Sequence, residues 1–155
     1  MLKYLMVFLI SMVPLIELRG AIPVALGMGL PTVPAYILCV IGNMLPVPVI
    51  YFFARKVLLW GADKKFIGKF FTFCIEKGEK GGQKLAKTAG RSGLFIALML
   101  FVGIPLPGTG AWTGALVASV MGLRMKRAIP PIFLGVAAAG LIMLTLSLGV
   151  VSVLG

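Results

Sequence analysis

The sequence predicts an all-α integral membrane protein, and three observations carry that prediction. Of its 155 residues 60% are hydrophobic, with a mean hydropathy of +1.09. Only 12% are charged, against about a quarter in an ordinary soluble domain, so a soluble fold of this size could not hide so much apolar surface. The basic residues are also clustered rather than spread. Arg55, Lys56, Lys64, Lys65, Lys69, Lys77, Lys80, Lys84, Lys87 and Arg91 lie in or beside one central segment, and Arg124, Lys126 and Arg127 form a second group. Lys and Arg gathered between apolar stretches mark the cytoplasmic side of a multi-pass protein in the cell membrane. The net charge of +11 is therefore read as orientation and attraction to anionic lipid, not as a nucleic-acid surface.

The apolar runs are judged against a spanning requirement of about 20 residues, with shorter runs suiting re-entrant pieces. Residues 2–16 are apolar and end at Glu17-Leu18-Arg19-Gly20. The small residues near Gly20 could suggest a cleaved leader, but Glu17 and Arg19 occupy the place of the cleavage region, so the segment is read as retained. Residues 21–30 are too short to cross, and residues 33–53 are long enough. Residues 60–92 are basic and polar with Phe and Ile interspersed, which predicts a helix lying in the headgroup region; a solvated loop is the alternative. Residues 93–104 are apolar and short, and Pro105-Leu106-Pro107-Gly108-Thr109-Gly110 breaks any helix. Residues 111–123 are again short, and residues 129–154 span.

The order short, break, short, long thus occurs twice. Gly20-Ala21 and Ala25-Leu26 match Gly110-Ala111 and Ala115-Leu116 at a shift of 90, and Gly29-Leu30, Ala35 and Gly42 match Gly122-Leu123, Ala128 and Gly135 at a shift of 93. The expectation is one membrane domain, residues 1–155. It comprises an inverted repeat (about 1–59 and 93–155), each half a re-entrant helical hairpin plus a transmembrane helix, with the basic cytoplasmic segment 60–92 between them. Inverted repeats of this kind are a transporter architecture.

Three constellations are candidates for substrate or ion binding. Glu17 and Arg19, beside Gly20, are the only charged residues of the first apolar third after Lys3; ionisable groups at depth are costly and usually functional. Arg19 suits a phosphate or carboxylate, and Glu17 suits an exchangeable proton. The alternative is a structural ion pair or snorkelling side chains. In the second break, Pro105, Pro107, Gly108, Thr109 and Gly110 expose backbone groups, and the helix starting near Ala111, with Trp112 and Thr113 in its first turn, has amides that attract an anion; a tight packing turn is the alternative. Asn43, after Gly42 and before Pro46 and Pro48, interrupts the first long segment and either hydrogen-bonds a hairpin tip or packs beside a kink.

Enzymatic chemistry is not expected. There is no His; Cys39 and Cys74 have no metal or redox spacing; and Ser11, Ser92, Ser119 and Ser147 lack a nucleophile-elbow context. No cofactor and no metal is implied.

Glu17-Leu18-Arg19-Gly20-Ala21-Ile22-Pro23, Gly42-Asn43 and the stretch from Pro105 to Ala115 resemble the small multi-drug export protein family of bacteria and archaea, over nearly the whole chain. That family is in turn similar to DedA-type membrane proteins, for which two re-entrant hairpins with polar tips are predicted and which are implicated in lipid-carrier translocation and proton-dependent transport. The resemblance implies a secondary transporter or flippase that moves a polar or anionic headgroup or small molecule between two hairpin tips, with proton coupling as a further expectation. A lipid-linked phosphate is the preferred substrate class and a cationic drug the next. A homodimer is expected, because one small protomer encloses little. The competing expectation is a non-transporting membrane scaffold or lipid-organising protein with a structural Glu-Arg pair.

Overall fold

The computed structural model describes residues 1–106 and 109–155, and every regular element among them is a helix. In chain order these are α1 Leu2–Met12, α2 Glu17–Gly27, α3 Thr32–Met44, α4 Pro46–Ala62, α5 Gly68–Gly103, α6 Ala111–Val120 and α7 Met125–Leu154. Three helical stretches are long and apolar enough to cross a membrane: Thr32–Ala62, Gly68–Gly103 and Met125–Leu154.

Helix α1 stops at Met12, two residues before Pro14, which has no amide to continue the ladder. Val13 is extended, while Leu15 (φ 75°) and Glu17 (φ 50°) adopt left-handed backbone that side-chain-bearing residues seldom tolerate. The first break therefore falls at residues 13–16, not at the expected Glu17–Gly20. Glu17 opens α2, and Arg19 and Gly20 lie in its first turn. At Gly20 a Cβ would come 2.4 Å from Ile16 Cγ2, so any side chain there requires the exposed Ile16 to shift.

A second expectation also changes. Asn43, Pro46 and Pro48 do not interrupt the first long segment. Only Leu45 separates α3 from α4, and it is itself helical (φ −59°, ψ −43°). Proline removes one ladder hydrogen bond, but its fixed φ suits a helix, so the chain passes through without changing conformation. The nominal length of α5 conceals a real break. Gly90 (φ 70°, ψ −175°) is not helical and divides a basic stretch, residues 68–89, from an apolar stretch, residues 91–103.

The helices pack through small residues. Lipid supplies little hydrophobic drive between helices, so close van der Waals approach must hold the bundle together. Ala21, Ala25, Ala111, Ala115, Ala118 and Ala128 are all buried. At Gly42, where α3 crosses α1, a Cβ would lie 2.1 Å from Ser11 Oγ and 3.0 Å from the Phe8 carbonyl. At Gly135, where α7 crosses the apolar end of α5, a Cβ would lie 2.6 Å from the Met99 carbonyl. The helix ends correspond as well. Gly29 (φ 74°) and Gly122 (φ 69°) terminate α2 and α6 in the same way, with Leu30 N–H donating to Ala25 O and Leu123 N–H to Ala118 O, both at 3.0 Å. The short helices then cross over: α2 packs on α7 and α6 on α4. Ser119 Oγ donates to Tyr51 O (3.1 Å) and Tyr51 hydroxyl to Leu123 O, which tie α6 and its following turn to α4, while Tyr36 hydroxyl donates to Ala137 O (2.8 Å) and ties α3 to α7.

The basic stretch of α5 lies against the turn after α6, with Gly82 so close that a Cβ would meet the Met121 carbonyl at 3.0 Å. The two basic groups of the sequence are thereby brought to one end of the molecule. Phe66 (98% exposed), Phe70 and Phe73 stand outward among the lysines, and Lys64 lies 4.5 Å over the Trp60 ring. Ile37, Val49, Phe52, Leu141, Leu146 and Val150 form part of an exposed apolar surface on the long helices, as lipid-facing positions require.

Gly135→Ala should separate α5 from α7 and destabilise the protein by about 1–3 kcal/mol. Gly149→Ala, on the same helix with nothing within 4 Å of its Cβ, should be neutral or slightly stabilising. Thermal unfolding in detergent measures both.

Candidate functional site at the meeting of two helix breaks

The first break and the second meet, and each supplies what the backbone of the other lacks. The last carbonyls of a helix and its first amides have no intrahelical partners, and away from water each orphan group is costly. The apolar part of α5 ends at Gly103, leaving carbonyls around residues 102–106, and α6 begins at Ala111 with free amides.

Arg19 fills the first set. Its Nη1 donates to Leu106 O (2.7 Å) and Thr109 O (2.8 Å), and its Nη2 reaches Ile104 O (3.1 Å), Val102 O (3.3 Å) and Thr109 Oγ1 (2.8 Å). The Thr109 hydroxyl in turn lies 2.8 Å from both Ile104 O and Leu106 O, closing the connection on itself. Glu17 fills the second set. Its Oε1 accepts from Trp112 N–H at 3.3 Å, so the carboxylate sits at the N-terminus of α6. A cation at a helix C-terminus and an anion at a helix N-terminus both complement the helix dipole. Two residues of opposite charge, two apart in sequence, are thus matched to the two ends of one broken passage. The anion that the α6 amides attract is the chain's own Glu17. Trp112 completes the exchange, its indole Nε1–H donating to the Met12 carbonyl at the end of α1 (3.2 Å).

Gly110 is required here twice over. Its φ of +129° disfavours any side chain, and a Cβ would stand 2.2 Å from Glu17 Oε2. Pro105 is half-buried in the connection after α5, where its missing amide removes a donor that would need a partner. Thr113 lies half-buried in the first turn of α6 and makes no side-chain hydrogen bond among the described residues. Pro107 and Gly108 fall outside the described residues.

Three groups at or near the junction remain without partners among the described residues. Glu17 Oε2 and Arg19 Nε are buried and unpaired, although Glu17 is only 3% exposed. Asn43 is fully buried in α3, with both its amide oxygen and nitrogen unpaired. Among the described residues Asn43 makes no hydrogen bond to a hairpin tip.

Sequence reasoning singled out Glu17, Arg19, Thr109, Gly110 and Trp112, and the structure brings these together. It missed the carbonyls of Val102, Ile104, Leu106 and Met12 as partners. The available signal was the abrupt end of two apolar runs beside Pro14 and Pro105, which leaves helix carbonyls needing donors.

The family model described as "Putative small multi-drug export protein" matches residues 17–142, most of the chain. The chain belongs to this small multi-drug export protein family. The matched region begins at Glu17 and takes in both breaks and the whole junction. None of the curated proteins and none of the solved structures compared matches the chain.

Leucine shares the branching and heavy-atom count of asparagine but is larger; at Asn43 it removes two polar groups unpaired among the described residues, each costing about 1–3 kcal/mol, against an overpacking cost of about 1–3 kcal/mol. Asn43→Leu should raise the melting temperature of the family member in detergent, whereas Arg19→Met should lower it by stripping donors from the α5 end.

Proposed function

We propose that this chain is a secondary membrane exporter of amphipathic cations, in which Glu17 binds substrate and proton in turn at the junction of the two breaks. The observation that carries the reading is the buried Glu17, whose Oε2 has no hydrogen-bond partner among the described residues, at the point where two interrupted helices meet. An ionisable group kept in such a place is functional by default. The Nη donors of Arg19 are already taken up by carbonyls and a hydroxyl, leaving only the buried Nε–H, which favours a cationic substrate over the anionic headgroup or lipid-linked phosphate.

An entirely apolar groove leads to the same place. Ile50, Phe53, Val57, Leu116 and Trp112 help to line a cavity of about 390 Å³ on the outer side of α4 and α6. Trp112 belongs both to this groove and to the Glu17 contact. A lipophilic cation dissolved in the bilayer can enter along such a wall and leave its charge at Glu17.

In this reading the two halves form an inverted repeat, and α1–α2 and the apolar end of α5 with α6 are re-entrant hairpins. The corresponding glycine contacts at Gly42 and Gly135, the identical ends of α2 and α6, and the crossed packing of α2 on α7 and α6 on α4 support it. The basic end faces the cytoplasm by the positive-inside rule. Protonation of Glu17 weakens its hold on the α6 amide and lets the junction open; deprotonation closes it. A homodimer would shield the groove.

The test is uptake of a fluorescent lipophilic cation into proteoliposomes under an imposed pH gradient. Glu17→Gln keeps an oxygen for the Trp112 amide, so the fold should survive while gradient-driven flux falls to the rate of empty vesicles. Unchanged flux in Glu17→Gln removes the carboxylate from the mechanism. The dense bonding of Arg19 favours one other reading, a non-transporting scaffold or lipid-organising protein. In that case the unsubstituted protein moves no cation, and Glu17→Gln alters only the melting temperature.

A further inference from the structure

Away from the Glu17 junction, a cleft of about 570 Å³ opens between α5 and the start of α7. Its lining is sorted by polarity. Arg91, Arg127, Gln83 and Glu79 lie toward the basic end of the molecule, and Leu94, Phe95 and Leu98 continue the α5 wall away from Arg91. Pro130 and Pro131 do the same on α7, one turn beyond Arg127.

The two walls are in register. A Cβ on Gly135 would meet Met99 O at 2.6 Å, and one on Gly103 would meet Ala138 Cβ at 3.7 Å. Positions 32 to 36 apart are therefore neighbours along two helices that run in the same direction, which places Arg91 within about one turn of the level of Arg127, and both line the cleft. Both helices then proceed from guanidinium to hydrocarbon over the same distance. The non-helical Gly90 immediately precedes Arg91 and redirects the chain there from the basic stretch to the apolar one.

Two exposed guanidinium groups facing one cleft repel each other, and the single carboxylate among them, Glu79, leaves the cleft net positive. An anion between them relieves that repulsion. Guanidinium forks match phosphate oxygens in pairs, and the apolar wall beyond suits an acyl chain. The volume is sized for a headgroup and the upper part of a chain, the remainder lying in the bilayer. A free phosphate would leave the apolar half of the cleft unfilled.

We propose that this cleft holds an anionic phospholipid, with its phosphodiester between Arg91 and Arg127 and its upper chain along Phe95 and Leu98. The lipid is a resident one, not cargo, and the proposal stands whether or not anything passes the Glu17 junction.

Native mass spectrometry of the full chain in detergent, titrated with phosphatidylglycerol, tests it. A single phosphatidylglycerol should be retained per chain, and phosphatidylcholine should not be. Glycerol phosphate and inorganic phosphate in excess should fail to displace it. Losing both guanidinium groups in Arg91→Gln/Arg127→Gln removes charge-assisted hydrogen bonds and should weaken retention by at least about tenfold. Lys84→Gln/Lys87→Gln, which removes the same charge from the basic stretch outside the cleft, should leave retention within about twofold, because exposed charges at a distance are screened. Equal losses in the two double variants, equal retention of phosphatidylcholine, or displacement by free phosphate would each overturn the proposal. Since the wild-type comparisons do not involve a substitution, they decide the matter even if a variant folds poorly.

Discussion

Two interrupted helices in a membrane protein cannot leave their buried ends bare. That constraint governs this molecule, and the contacts of Arg19 and Glu17 meet it. Hydrogen bonds to charged groups contribute about 1.5–3 kcal/mol each, and Arg19 reaches acceptors on four residues of the opposite break. The sequence separation of these contacts, 83 to 90 residues, makes the junction the knot that ties the two halves together. The remaining packing is compatible with this knot: alanines and glycines let α2 lie on α7 and α6 on α4, and that crossing delivers each break to the other.

The same contacts bear on how the junction could work. A closed state held by several charge-assisted bonds opens only if something replaces them or removes a charge. Glu17 is the weaker point, with one moderate bond to Trp112 and one oxygen without a hydrogen-bond partner among the described residues. A proton or a cation at that oxygen changes the balance with the fewest bonds broken. On the proposed transport reading, Arg19 would be the hinge pin and Glu17 the responsive group. This division of roles is not apparent from their adjacency in sequence.

Much of the architecture was legible in the sequence. Hydropathy and the clustering of Lys and Arg indicated a helical membrane protein, and run lengths anticipated short and long helices in their observed order. Pro14 and Pro105 end helices because proline lacks an amide, yet Pro46, Pro48, Pro130 and Pro131 sit inside helical stretches. Local composition cannot separate these cases, since tertiary contacts decide whether a missing ladder bond matters. The position of the first break was misjudged by four residues for a related reason: charge drew attention to Glu17 and Arg19, but charge belongs in the first turn of α2. Which residues converge was legible from polarity at depth. What they bind was not, because the partners are main-chain carbonyls, which every residue carries and no sequence pattern marks.

The claim that the two breaks hold each other is tested most directly by a double-mutant cycle between Arg19→Met and Thr109→Val, read by reversible unfolding in mixed micelles. The contact of Arg19 Nη2 with Thr109 Oγ1 at 2.8 Å predicts a coupling energy of about 1–3 kcal/mol. Strictly additive losses would contradict the account, because they would mean that the guanidinium and the hydroxyl stabilise the protein without meeting.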